Sequence, residues 1–217
     1  MVLPPPPPLY QRLPGTAPLT REERQSCPSA LLIATGNNPI YRLTSADDGV
    51  RFDLDADGEA ERLAWTQASS SVAFLAIDHD GDGAITSGRE LFGEHTWPGV
   101  RSGVAALSEM AKDSNGGVSR GHVNSDDPLM ARLLLWTDTN HNGVSEPSEL
   151  RPADEEFSGI GLGYGLEYGL DLYGNRFIFE GWARIRTGPS PNGATSWEDS
   201  TQHMRRTYVV CFARSRS

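Results

Sequence analysis

The chain has 217 residues, of which 37% are hydrophobic and 22% charged, and it contains only two cysteines. This length is enough for one domain with its own core. No uncharged apolar stretch of about 18 residues occurs, so no membrane-spanning helix is expected. The net charge is −10, and residues 47–150 hold 19 acidic against 7 basic side chains. We therefore expect cations as partners and no nucleic acid, because this acidic segment would repel phosphate.

Residues 1–29 predict a proline-rich tail, since five consecutive prolines at 4–8 favour an extended conformation without a core. The sequence does not begin with a basic segment followed by a long apolar stretch, so no conventional secretory signal is expected. Residues 30–213 are expected to form one domain, with an acidic core at 47–150 and a β-rich part at 157–213. Cys27 and Cys211 allow two interpretations, a disulfide between the first and last segments or two free thiols.

Short apolar segments predict strands on either side of a helical, loop-rich middle. Hairpins are expected around the turns Asp57-Gly58 and Gly174-Asn175, and a helix is expected after the Asp127-Pro128 pair. Other strands are predicted at 30–35, 40–44, 71–77 and 206–213, and another helix at 103–112. The predicted fold class is α+β, with short strands and hairpins flanking a loop-rich, calcium-loop-like middle that contains short helices.

The strongest functional signal is a repeated spacing of oxygen-bearing residues, which is complete in residues 138–149, named loop D here. Side-chain oxygens occupy positions 1, 3, 5, 9 and 12, glycine stands at position 6, and a backbone carbonyl falls at position 7. Calcium takes about six to eight oxygens, and alternate residues of a tight turn bring them together. The predicted calcium ligands are Asp138, Asn140, Asn142, the carbonyl of Val144, Glu146 and Glu149.

Loop B, residues 78–90, is a second copy whose first nine positions match the same spacing. Its closing glutamate stands at position 13, so one residue, expected to be Gly88, has to bulge out before the glutamate can reach an ion. Ile85 at position 8 is expected to be the apolar anchor against a partner loop. The predicted ligands are Asp78, Asp80, Asp82, the carbonyl of Ala84, Thr86 and Glu90.

Two further copies are incomplete. Loop C, residues 113–127, lacks the ligand at position 5 and carries an insertion at 117–120, and we expect it to be the weakest of the three later loops. Loop A, residues 53–64, has alanine at position 12, and a solvated hairpin turn explains it equally well, because Asp and Gly are common turn residues. The candidate ligands are Asp113, Asn115, Asn124 and Asp127 in loop C, and Asp53, Asp55 and Asp57 in loop A.

Residues 41–150 resemble the bacterial EF-hand-like calcium-binding domains of secreted and surface proteins. Four blocks follow that family's order: F-D-x-D-x-D-G with a later tryptophan at 52–65, D-x-D-G-x-G at 78–93, D-x-N-G with a D-P at 113–128, and L-W-x-D-x-N at 135–150. The resemblance implies Ca²⁺ bound by the matched residues, no catalysis, and an extracellular or cell-surface location. Only ten residues separate Asp127 from Asp138, too few for two helices and a turn, so regular paired EF-hands are not expected.

Three functions are compatible with these residues. The first is a non-enzymatic calcium-binding module whose fold is organised by the ion. The second is a calcium-dependent adhesion or interaction module with a protein or surface partner. The third is a hydrolase with structural calcium, which the absence of a recognisable acid/base pair or a paired-histidine metal motif disfavours. We therefore expect no enzymatic activity.

Overall fold

A computed structural model describes residues 27–36, 40–68, 70–115, 121–186 and 204–215, without the side chains of 113–115 and 166–168. In chain order, the elements within these ranges are β1 (Ser29–Ala34), β2 (Val50–Phe52), β3 (Glu61–Leu63), β4 (Val72–Ala76), α1 (Gly103–Asn115), β5 (His122–Asn124), a 3-10 turn (Met130–Arg132), β6 (Leu134–Trp136), β7 (Leu150–Pro152), α2 (Ala153–Glu156), β8 (Phe157–Gly161), β9 (Gly165–Leu170), β10 (Arg176–Ile185) and β11 (Met204–Cys211).

Nine of these strands form one antiparallel sheet, in the order β5-β8-β10-β11-β1-β4-β6-β7, with β9 beside β10. One edge of β10 pairs with β9 in its first half and with β8 in its second half, and the other edge pairs with β11. β1 lies between β11 and β4, where Leu32 stands opposite Tyr208 on one side and Phe74 on the other. The remaining two strands, β2 and β3, form a separate hairpin.

Both faces of the sheet are covered here, which explains why β1 and β4 are buried at every position and, apart from Ser29, apolar. Successive side chains of a strand point to opposite faces. Leu31 and Ile33 pack in the cluster that includes Leu107 of α1. Leu32 packs in the other cluster, with Trp65 and further aromatic residues that follow the β2–β3 hairpin. This second, aromatic layer supports the acidic loops.

The prediction of an α+β fold with a helix-containing middle is wrong, because the described residues form a mostly β structure. The predicted helix at 103–112 is present as α1, but α2 has four residues and the Asp127-Pro128 pair leads into a 3-10 turn. The error came from treating the Asp127-Pro128 pair as the start of a full helix. The segments that flank loops A, B and D are short, and β4 is buried on both faces, which favours strands.

Cys27 and Cys211 form a disulfide, with their Cα atoms 5.6 Å apart. The bond joins the start of the described chain to the end of β11, and the hydrogen bond from the Phe212 amide to the Pro28 carbonyl lies beside it. Of the predicted tail, residues 1–26 lie outside the described residues. Ser29, the last residue assigned to that tail, belongs to β1.

Candidate metal centre

Loops A, B and D each connect two antiparallel segments. Loop A joins β2 to β3, and loop D joins β6 to β7. Loop B joins β4 to Leu91, which forms an antiparallel bridge with Ala76. In loops B and D the backbone carbonyl of the closing glutamate accepts a hydrogen bond from the residue just before position 1, at 2.8 and 3.1 Å respectively. The strand pairing therefore brings the last predicted ligand back beside the first.

The three loops share one backbone conformation. In each loop, positions 4 and 6 have positive φ angles, a region that side chains other than glycine rarely adopt. The pairs are Ala56 and Gly58 in loop A (58° and 97°), Gly81 and Gly83 in loop B (76° and 83°), and His141 and Gly143 in loop D (60° and 73°). Glycine fills four of these six places, consistent with its freedom at positive φ.

Two hydrogen bonds recur in all three loops. The aspartate at position 1 accepts one from the amide of position 6, at 3.0 Å in loops A and B and 2.9 Å in loop D. The side chain at position 5 accepts one from the amide of position 7, at 2.7 to 2.9 Å. Acidic and amide oxygens are thus fixed by the turn itself, and the same turn forms with either Asp or Asn at position 5.

Loop B gathers three carboxylates that no described lysine or arginine bridges. One oxygen from each of Asp78, Asp80 and Glu90 lies within 4.8 Å of the other two. Glu90 is only 4% exposed, and its carboxylate accepts hydrogen bonds from the amide and hydroxyl of Thr86 at 2.8 and 3.1 Å. Among the described residues, no lysine or arginine forms a salt bridge with these three carboxylates. Their charges therefore repel one another unless a proton or a cation intervenes.

Glu90 reaches the other ligands although it stands at position 13. Gly88 lies against loop A, where its amide donates to the Asp53 carbonyl at 2.8 Å. A Cβ atom at Gly88 would lie 1.9 Å from the Leu54 carbonyl oxygen, so only glycine fits there. The extra residue of loop B is thus accommodated where the chain passes the backbone of loop A.

Loop D holds its two terminal acids in buried positions. Asp138 is 1% and Glu149 6% exposed. Glu149 Oε1 accepts 2.7 Å hydrogen bonds from the amide and hydroxyl of Thr139, and Oε2 accepts one from the Trp136 indole at 3.3 Å. Burial opposes ionisation of Glu149, but the hydrogen bonds from Thr139 outweigh it and lower the pKa of the carboxyl. This side chain is therefore held as a carboxylate.

The middle of loop D converges on Glu146 at position 9. Its Oε1 accepts hydrogen bonds from the amide groups of Asn140 and Asn142 at 3.2 and 2.7 Å, while its Oε2 is buried without a hydrogen-bond partner. The position-7 carbonyls of Ala84 and Val144 receive no hydrogen bond from any described residue. These unpaired oxygens are available as ligand atoms for a cation that prefers oxygen.

Loop A has the same turn, but an arginine side chain of this chain lies beside its acids. Oxygens of Asp53, Asp55 and Asp57 lie within 4.8 Å of one another. Arg214, beyond β11, places Nη2 2.6 Å from Asp55 Oδ2 and 3.2 Å from a carboxylate oxygen of Glu61. Burial opposes ionisation of Asp55, but the hydrogen bond from Arg214 outweighs it and lowers its pKa, whereas burial and the hydrogen bond with Asp55 raise the pKa of Glu61.

Loop C does not repeat this turn in the part that is described. Asp113 and Asn115 belong to the end of α1, their side chains lie outside the described residues, and so do residues 116–120. Asn124 lies in β5 and accepts a hydrogen bond from the Asp126 amide at 2.9 Å. Asp127 is buried and accepts one from the Leu129 amide, which supports the 3-10 turn. The weakness expected for loop C therefore stays a prediction.

A direct contact between loops was expected from the sequence only for Ile85, without an indication of which loop it would meet. The Ile85 amide donates to Ser145 Oγ at 2.6 Å, and this hydroxyl lies 3.2 Å from the Ile85 carbonyl. Both residues stand at position 8 of their loops, so the partner that Ile85 was expected to have is loop D. The Trp65 indole donates to Asp138 Oδ2 at 2.8 Å. In the sequence Trp65 stands out only as the tryptophan of the 52–65 block, and nothing in its spacing indicates this contact.

A cleft of about 500 Å³ opens beside loops A and B. It is lined by Ala56 of loop A, His79 and Arg89 of loop B, and the segment from Glu94 to Gly99. Burial raises the pKa of Glu94 to about 7, although a 3.1 Å hydrogen bond from the Ser29 hydroxyl works in the opposite direction. Near neutral pH this carboxyl is therefore partly protonated.

These features define a β-rich domain in which hairpin loops carry clustered acidic and amide oxygens. The profile of the SPM domain family matches residues 33–167, more than half of the chain, and the chain belongs to this family. It is also similar to the iron-regulated protein FrpA of Neisseria meningitidis serogroup C, with 34% identity over 111 residues. That match covers 49% of this chain and 9% of the relative, so the chain spans only a small part of that protein's length. Neither name mentions calcium.

The membrane prediction concerns helices alone. Within the described ranges, no helix is long and apolar enough to cross a bilayer.

Proposed function

We propose that this chain is a non-enzymatic, calcium-binding module in which loops B and D each hold one ion and the ions stabilise the fold. The observation that carries the proposal is the shared architecture of these loops. In both, strand pairing returns a buried glutamate to the first residues of a turn whose position-1 and position-5 side chains are already fixed. Neither loop depends on a flanking helix for this geometry.

The donor set favours a hard cation, because every predicted ligand is an oxygen. Loop B contributes four carboxylates, and loop D contributes three carboxylates and two amides. Calcium accepts six to eight oxygens in flexible geometry, whereas magnesium requires a near-ideal octahedron and keeps several of its waters. A loop that closes with a buried glutamate 11 or 12 residues after its first aspartate suits the larger ion.

Calorimetric titration of the full chain with calcium tests the proposal. Glu90→Gln and Glu149→Gln each remove one closing charge, and each should weaken binding at one of two sites by at least tenfold. Glu109→Gln is the matched control, since Glu109 is a partly exposed residue of α1 paired with Lys112. If both closing variants bind calcium with the stoichiometry and affinity of the unsubstituted chain, the assignment to these loops is wrong.

A further inference from the structure

Trp65 couples the hairpin of loop A to the first ligand of loop D. The side chain is fully buried, and four aromatic rings surround it, with centroid distances of 4.4 Å to Phe74, 5.2 Å to Phe52, 5.6 Å to Trp136 and 5.8 Å to Phe212. Such packing fixes the ring and therefore the direction of its N–H bond. That bond points at Asp138 Oδ2, 2.8 Å away.

The hydrogen bonds on Asp138 are unequal. Oδ2 accepts from the Trp65 indole and from the Gly143 amide at 2.9 Å, whereas Oδ1 accepts only from the Asn142 amide at 3.1 Å. A carboxylate oxygen has two lone pairs. Oδ2 is therefore saturated, and Oδ1 is the oxygen with a site to spare for a cation.

We propose that Trp65 is a positioning residue for loop D: its indole N–H holds Asp138 so that Oδ1 faces the ion, and it thereby makes the affinity of loop D depend on the hairpin of loop A. The inference rests on the proposed calcium-binding function. Partners that orient metal ligands typically change metal affinity by about 10- to 100-fold when they are lost.

Loop B is a natural control within the same chain. Its position-1 residue, Asp78, accepts backbone amides only, from Gly81 on Oδ1 at 2.6 Å and from Gly83 on Oδ2 at 3.0 Å. The indole is thus an added constraint at Asp138, on top of the turn that both loops share. Loss of the indole N–H should weaken loop D and spare loop B.

The experiment replaces Trp65 with phenylalanine, which keeps an aromatic ring and removes the donor. Calcium affinity is measured calorimetrically in two backgrounds, Glu90→Gln to report on loop D and Glu149→Gln to report on loop B. Trp65→Phe should lower the affinity of loop D at least tenfold and change that of loop B less than twofold. Trp182→Phe, on β10 beside His122, is the matched tryptophan control and should change neither loop.

A double-mutant cycle separates positioning from general loosening of the core. If Trp65 acts through Asp138, the effect of Trp65→Phe on loop D should largely disappear when Asp138→Asn is already present. Additive effects, an equal loss in both loops, or an unchanged affinity of loop D would overturn the inference. If the unsubstituted chain takes up no calcium, the proposed function fails, and the inference fails with it.

A second measurement does not require Trp65→Phe to fold. In the unsubstituted, nitrogen-15-labelled chain, the Trp65 indole resonance is assigned from its contacts with Phe52 and Phe74. Calcium should shift this resonance, because the ion polarises the carboxylate that accepts the hydrogen bond, while the Trp182 indole should stay in place. A Trp65 resonance that does not move while calcium binds would contradict the inference.

Discussion

Loops A and B have the same turn but balance their negative charge in different ways. Both have positive φ angles at positions 4 and 6 and the same two recurring hydrogen bonds. Loop A meets the Arg214 guanidinium, whereas the three clustered acids of loop B meet no arginine or lysine among the described residues. Loop B also ends in Glu90, and loop A has Ala64 at the corresponding place.

The comparison separates the shape of a loop from its capacity to bind an ion. The turn follows from local hydrogen bonds of aspartate side chains and from glycine at positive φ, so it forms whether or not the acids have a cation nearby. Ion binding requires in addition a closing carboxylate and charges that remain uncompensated. Loop B meets both conditions, whereas loop A lacks the closing carboxylate and one of its three clustered acids is paired with Arg214.

The largest expected effect is stabilisation by calcium. At one hundred times the dissociation constant, each site adds about 2.7 kcal/mol to the free energy of unfolding. Two sites should therefore raise the melting temperature by about 10 to 20 °C for a domain of this size. Differential scanning calorimetry in excess calcium and in chelator, at matched ionic strength, measures the shift.

Substitutions then assign the stabilisation to particular loops. The double variant Glu90→Gln/Glu149→Gln should lose most of the calcium-dependent shift, because both closing ligands are gone. Asp57→Asn in loop A should retain it. Equal melting curves in calcium and in chelator for the unsubstituted chain would show that the ion does not organise this fold.

Arg214→Gln should make loop A behave more like loop B. In chelator the variant leaves Asp55 and Glu61 without their cation, and the free energy of unfolding should fall by about 1 kcal/mol, since the pair is partly exposed and screened. Added calcium should then stabilise the variant more than it stabilises the unsubstituted chain. Chemical denaturation in both conditions measures the difference.

Arg101→Gln, which removes an exposed arginine, is the control for a general change in net charge. Should calcium stabilise Arg214→Gln and the unsubstituted chain equally, the guanidinium does not stand in for a metal ion. Loop A would then be a solvated hairpin turn, and Arg214 would form only a surface ion pair with it.

Glu94, beside the cleft between loops A and B, should make stability depend on pH. Burial raises its folded-state pKa to about 7 from an ordinary value near 4.5, so the folded chain binds the proton more tightly than the unfolded chain does. Its contribution is fully present below pH 4.5 and is lost as the pH rises to about 7. The loss amounts to at most about 3 kcal/mol.

Glu94→Gln cannot ionise, so it should lack this component of the pH dependence. Urea unfolding in chelator at pH 4.5 and 7.5 is compared between the variant and the unsubstituted chain, which cancels the titration of the other carboxyls. Relative to the unsubstituted chain, Glu94→Gln should gain stability at the higher pH. A constant difference across this range would exclude Glu94 as the titrating group.

Sequence reasoning found the loops better than the fold that carries them. Aspartate and glycine spacing is a local property, and it located the turns at residues 53–58, 78–83 and 138–143 because each turn is built from its own side chains. The pairing of β1 with β11 joins residues at opposite ends of the described chain and depends on burial of both faces of β1. No local spacing encodes that.

The contacts between loops were hidden for the same reason. Ser145 is one residue in a polar segment, and Trp65 is a large apolar side chain that a core would need in any case. Only the folded arrangement places the Ser145 hydroxyl on the Ile85 backbone and the Trp65 indole on Asp138. The position-8 register of the two loops was visible, but it did not distinguish which loop Ile85 would meet.

The smallest effect is expected in loop C, because α1 continues through Asn115 and Asp127 already supports the 3-10 turn through the Leu129 amide. Terbium replacing calcium provides a local readout, since the Trp136 indole lies 3.3 Å from a Glu149 oxygen and can transfer energy to an ion in loop D. Asp113→Ala should leave the sensitised emission unchanged, whereas Glu149→Gln should reduce it strongly. If Asp113→Ala abolishes the emission and Trp136→Phe preserves it, loop C is the main site and the ranking of the loops is reversed.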